Sequence, residues 1–177
     1  MKSLLLTLGL GLMAALRAQT LPVWDEETQD ASGTWYMKAA AADEEIPWKK
    51  LESVSVTPMT IKTLAGGHLE LLSSRMGGQC REISTVLEKT DEPGKYTAHG
   101  GKRVVHILKS QVDGHYILSI EGEMHGQQIR MAKLVGRDPE VNPEALKDFE
   151  KVAAARGLNT QSIFIPKQRE ACSPGSD

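Results

Sequence analysis

Gly33-Thr34-Trp35-Tyr36 opens the first stretch of the chain that reads as a β-strand, and a string of short strands follows it. A Gly-x-Trp at the start of a first strand, ahead of a run of hairpins, is the entry pattern of a small closed antiparallel barrel. Alone the pattern is common. Its weight comes from three companions: Gly136-Arg137-Asp138-Pro139, one helical segment after that run, and two cysteines, Cys80 and Cys172.

Working outward from Trp35, residues 33–42 are expected as the first strand, with Trp35, Met37, Ala39 and Ala41 on one face. Residues 43–51 form a long loop containing Glu45. In residues 53–64, Val54 and Val56 alternate, then Met59 and Ile61 alternate in the opposite phase. A bend or bulge is therefore expected at Thr57-Pro58. Gly66-Gly67 makes a turn. The third strand, residues 68–76, is the least marked, because Leu69, Leu71 and Leu72 give way to Ser73-Ser74-Arg75. Residues 80–89 place Ile83, Thr85 and Leu87 on one face. Asp91-Glu92-Pro93-Gly94 and Asp113-Gly114 are turns by composition. Residues 95–98, 102–108, 115–121 and 127–135 supply the remaining strands. Short strands at this spacing predict an all-β fold, an eight-stranded up-and-down antiparallel barrel whose closure removes exposed edges.

After Pro139 the period changes. Asn142 can cap a helix and Pro143 suits its first position. Ala145, Leu146, Phe149, Val152 and Ala153 recur at helical spacing, and Gly157 is the expected stop. This single C-terminal helix has an apolar stripe suited to the outside of a sheet. A last strand is expected over residues 162–165, ended by Pro166.

Residues 1–18 read as a secretory signal peptide: Lys2 gives the positive start, residues 4–16 are almost wholly apolar and uncharged, and Ala18 offers a small residue for cleavage. The run is shorter than the ~20 residues a bilayer span needs. Residues 19–177 then form one domain. The net charge is −2, with Lys and Arg scattered among Asp and Glu. That argues against nucleic acid, which needs a basic stripe. An even pair of cysteines in a secreted chain points to one bridge. Two separate thiols or a metal site are the alternatives, although two cysteines without nearby histidine spacing make a poor zinc site.

These residues resemble the lipocalin family. Gly33-x-Trp35 matches its first motif, Asp113-x-x-Tyr116 its second in approximate form, and Arg137 its third. Longer runs, residues 88–97, 133–139 and 172–177, resemble a gland-secreted branch of that family. The resemblance implies a secreted carrier with a wide cup that holds fatty acids, phospholipids, sterols, odorants or other apolar molecules. It also implies a Cys80–Cys172 bridge, an Arg137 guanidinium packed across Trp35, and a ligand's polar end near Lys133 and Glu45. Gly33 and Arg137 are then structural. This branch usually carries a free cysteine on the seventh strand, where Ser119-Ile120 stands here, so no thiol-dependent behaviour carries over.

Alternate strand positions give the expected cup lining: Trp35, Met37, Val56, Leu87, Val105, Ile107, Leu118, Ile120, Met131 and Lys133. Phe149 and Phe164 fall outside the barrel strands. An aliphatic and methionine wall adapts and discriminates weakly, and roughly 300 Å² of buried ligand surface leads to an expectation of micromolar binding. Lys133 is the sharpest functional candidate, because a buried lysine without a partner is costly. It meets Glu45, solvent or a ligand carboxylate. No enzyme activity, cofactor or metal is expected: the histidines lack metal spacing, and the isomerase branch of the family uses a cavity cysteine absent here. The partners expected are small hydrophobic ligands, without membrane insertion, and a cell-surface receptor is a candidate. The chain is expected as a monomer or weak dimer. The rival reading is a cysteine-protease inhibitor acting through residues 19–31.

Overall fold

The computed structural model describes residues 31–43, 55–76, 80–124, 126–161 and 163–172. The expected signal peptide, the N-terminal stretch of the inhibitor reading apart from Ala31, and Glu45 lie outside these residues. Strands β1 (Gly33–Ala42), β2 (Ser55–Val56), β3 (Met59–Thr63), β4 (Leu69–Met76), β5 (Cys80–Lys89), β6 (Lys95–Ala98), β7 (Arg103–Lys109), β8 (His115–Met124) and β9 (Gln127–Gly136) come first. Helix α1 (Pro143–Ala155) and strand β10 (Lys167–Gln168) complete the order. A closed barrel runs β1-β3-β4-β5-β6-β7-β8-β9, and β9 pairs antiparallel with β1 to shut the ring.

The bend expected at Thr57-Pro58 is present, and it does more than kink one strand. Proline lacks an N–H for the ladder, so the strand breaks there. β3 stays in the barrel, while β2 leaves it and pairs in parallel with β10. β4 corrects the expectation of a weak third strand: it pairs with β5 along its whole length, from Leu69↔Leu87 to Met76↔Cys80. Ser73 and Ser74 are half-buried within it, held by their pairing with Ile83 and Glu82. β5 meets β6 only at Glu88↔Thr97 and Lys89↔Tyr96, so the β4–β5 ribbon rises above the β6–β7 turn.

One face assignment fails. The register of β1 on β9 slips between Met37 and Ala39. Met37 pairs with Val135 inside the barrel, but Ala39 and Ala41 pair with Leu134 and Ala132 on the outside. A bulge adds one residue and flips every side chain beyond it. The alanines that read as poor strand formers are there because α1 lies on them. Ala39, Ala41, Ile117, Ala132 and Leu134 form one apolar layer with Ala145, Phe149, Ala153 and Leu158, and small side chains let the helix approach closely. Leu108 packs against this layer; Val104 is half-buried outside it.

α1 begins and ends as read. The Asn142 side chain accepts from the N–H groups of Glu144 and Ala145, with Pro143 in the first turn. Gly157 follows with φ 76°. The last strand expected over 162–165 is only a bridge, Ala40↔Phe164, and the pairing strand is β10 two residues beyond Ile165. Pro166 interrupts the ladder between them. Cys80 and Cys172 form a disulfide with Cα atoms 5.8 Å apart. It ties the tail to the top of the β4–β5 ribbon, where the Cys172 N–H also donates to Ser74 Oγ at 3.3 Å. The bridge closes 92 residues of sequence, worth about 4–5 kcal/mol in the chain-entropy model.

Candidate functional site

Strand register fixes which side chains face into the barrel. Along β9, Ile129, Met131, Lys133 and Val135 face inward, opposite Gly122, Ile120, Leu118 and Tyr116 of β8. Val105 and Ile107 of β7 and Tyr96 of β6 continue this inner face. Exposure along it is graded. At one end Trp35, Leu69, Leu87, Ile107, Leu118 and Val135 are buried. Toward the other, Ile120, Ile129, Met131 and Lys133 are half-buried, and Ile83 is 40% exposed. Inward-facing side chains that keep accessible surface border a hollow. The barrel is therefore a cup, shut at the Trp35 end and open at the Ile83 end.

The shut end is built around Trp35. Its indole N–H donates to the Ala31 carbonyl at 2.8 Å. Tyr116 meets it edge-on, with ring centroids 4.9 Å apart, and the Arg137 guanidinium lies 3.8 Å from the ring centroid. A cation on an indole face contributes about 0.5–2 kcal/mol. Gly33 makes this possible: its φ is 111°, and a Cβ there would lie 2.7 Å from Arg137 Nη1. Burial pushes the Tyr116 hydroxyl pKa up, and nearby Arg137 partly opposes it.

A polar cluster beside this plug was not legible in the sequence. Lys38, 1% exposed, lies 2.9 Å from His115 Nε2 and 3.0 Å from Asp138 Oδ1. His115 Nδ1 sits 2.9 Å from the Asp113 carbonyl, which can only accept. Nδ1 therefore carries the hydrogen, and Nε2 accepts from Lys38. The Lys38 hydrogen bond holds the Asp138 carboxyl below the usual carboxylate range. Lys38 is the residue at the β1 slip, so the bulge that defeats the face assignment also creates this cluster.

Lys133 is the cation inside the cup. It lies opposite Ala40 and Leu118, and its ammonium has no hydrogen-bond or ion-pair partner among the described residues. Burial, and secondarily the Arg103 cation, hold its pKa below the usual lysine range.

Of the expected lining residues, Trp35, Met37, Leu87, Val105, Ile107, Leu118, Ile120, Met131 and Lys133 come together on the inner face. Val56 does not join them in the ring, since its strand pairs with β10. The sequence reading omitted Met59, Ile61, Leu69, Leu71, Tyr96 and Val135, which belong to or pack on the same cluster. The opposite phase of Met59 and Ile61 was the available signal for two of them. Among the described residues no group of three or more His, Cys, Asp or Glu could hold a metal ion, and no helix is long and apolar enough to cross a membrane.

Residues 32–170 match the model of the lipocalin / cytosolic fatty-acid binding protein family. The chain is 60% identical to von Ebner gland protein 1 of Rattus norvegicus over 178 aligned residues, covering 100% of both. It is 54% identical to Lipocalin-1 of Sus scrofa, covering 100% of this chain and 99% of that one. A solved structure of the siderocalin Ex-FABP superposes with a TM-score of 0.67 at 20% identity, over 84% of this chain and 97% of the other; that likeness is one of fold. The chain belongs to the lipocalin / cytosolic fatty-acid binding protein family.

Proposed function

We propose that this protein is a secreted carrier that holds small hydrophobic molecules non-covalently in its barrel, the apolar tail deep in the cup and the polar head toward the mouth. One observation carries the reading: inward-facing aliphatic and methionine side chains keep accessible surface at the open end, beside a lysine with no described partner. A folded chain gains nothing by leaving such a lysine desolvated, whereas a ligand carboxylate there would offset the cost. Secretion is supported by the apolar, uncharged run near the N-terminus and by the disulfide.

The walls offer dispersion and apolar burial with few directional polar groups, so a range of tails should bind with micromolar affinity. Displacement of a fluorescent fatty acid from delipidated, disulfide-intact protein tests this. Failure to bind it, or any competing lipid, ends the carrier reading. Lys133→Met should weaken a fatty acid about tenfold relative to the matching alcohol. Equal loss for both removes the head-group role of Lys133.

A further inference from the structure

The barrel wall segregates charge by face. Register places Glu70, Glu82, Glu88, Glu121 and Glu123 on the outside. Among the described strand residues no Asp or Glu faces inward, although the chain carries a net charge of −2. Toward the mouth, the inner face carries cations instead: Lys133 on β9, Arg103 on β7 and, at the outer rim, Arg81 on β5. Arg103 sits opposite Ala98 and Gly122, two positions with little or no side chain, which leaves room for its guanidinium on the inner rim. A Cβ on Gly122 would strike the Lys102 carbonyl, and its φ of 147° also demands glycine. Arg103 Nε donates to the Glu123 carbonyl at 3.3 Å, which orients the group while its two terminal nitrogens keep their donors.

We propose that Arg103 is a specificity-determining residue that, together with Lys133, selects amphiphiles with a doubly charged anionic head, a phosphate monoester, over carboxylates and neutral heads. The inference rests on the carrier reading and adds the head-group class. Lys133 is level with Ile107 of β7, four residues from Arg103. That offset is about 13 Å along the strands and about 10 Å across the two strand spacings, roughly 16 Å in all, a gap that two long side chains reaching toward each other can bridge across one head group. A carboxylate carries one charge and satisfies one of two cations. A phosphate monoester carries up to two charges and three terminal oxygens, enough for an ammonium and a guanidinium fork at once. The like-charge pair is unfavourable when empty, and Arg103 already depresses the Lys133 pKa; a dianion relieves both effects.

The test uses the full secreted chain with its disulfide intact and three probes that share one tail: hexadecyl phosphate, palmitate and hexadecanol. The wild type should prefer hexadecyl phosphate to palmitate by about tenfold. Arg103→Gln should cost hexadecyl phosphate about tenfold and palmitate about twofold, and leave hexadecanol within twofold. Arg103→Lys, which keeps the charge and loses the fork, should fall between. Equal losses for all three probes, or no loss for hexadecyl phosphate, overturns the role of Arg103 while the carrier reading stands. If none of the probes binds the wild type, the carrier reading falls and this inference falls with it.

Discussion

The two ends of the barrel are made of the same strands and solve opposite problems. At the shut end two large side chains are held by protein partners. Trp35 is held by a carbonyl, a tyrosine edge and a guanidinium, and Lys38 by His115 and Asp138. At the mouth, Met131 and Lys133 face in with surface to spare, and Ile83 is 40% exposed. A lysine shielded from solvent appears toward each end, Lys38 buried and Lys133 half-buried, and the difference lies in partners. Lys38 is a completed interaction; Lys133 is an incomplete one. The shut end supplies stability to a fold whose other end must stay unfilled.

The contrast breaks most easily at the plug. Trp35→Ala should cost about 3–5 kcal/mol in denaturant unfolding, because it leaves a cavity that Tyr116 and Arg137 cannot close. Met131→Ala, the same kind of truncation near the mouth, should cost under about 1.5 kcal/mol, because its surroundings are already hollow. Similar losses at the two sites would mean that the mouth is packed after all. Lys38→Met comes next, with an expected loss of about 1–3 kcal/mol as His115 loses a donor and Asp138 its pair. Lys133→Met should instead raise the stability of ligand-free protein by about 1 kcal/mol, since it removes a desolvated charge. A loss there would mean that Lys133 has a protein partner.

The smallest expected effect is the response to acid. His106 lies on the outer face between Lys95 and Ser119, and its buried Nδ1 has no partner among the described residues. Burial lowers its pKa below 6.5; Arg156 and Lys95 add to this, and Glu92 and Glu121 oppose it. The unfolded chain therefore takes up this proton first. Stability is full above about pH 6.5 and falls as pH drops below it. Asp138, depressed mainly by its bond from Lys38, acts at lower pH: its share is present above the ordinary carboxylate range and is lost as pH falls through the depressed value. The Asp138 carboxylate is largely exposed, so solvent screens it and its share is small. Unfolding midpoints of the wild type and His106→Gln between pH 7 and pH 5 should converge if His106 is responsible. A constant gap would assign the loss elsewhere.

The sequence alone determined what depends on short-range pattern. Period-two alternation marked most barrel strands, and Asn142-Pro143 and Gly157 fixed α1, because local geometry dictates each of these; the plug of Arg137 on Trp35 was legible only through the resemblance of Gly33-x-Trp35 and Arg137 to the lipocalin motifs. Tertiary structure decided the rest. The slip at Lys38 moved Ala39 and Ala41 under α1, since strand parity is lost wherever one residue is added. The break at Thr57-Pro58 sent Val56 to the tail, and β4 gained from β5 the order that its own serines did not announce. Only the closed ring sorted acids outward and brought Arg103 and Lys133 to the same inner face, because the side of a wall that a charge occupies is a property of pairing across strands distant in sequence.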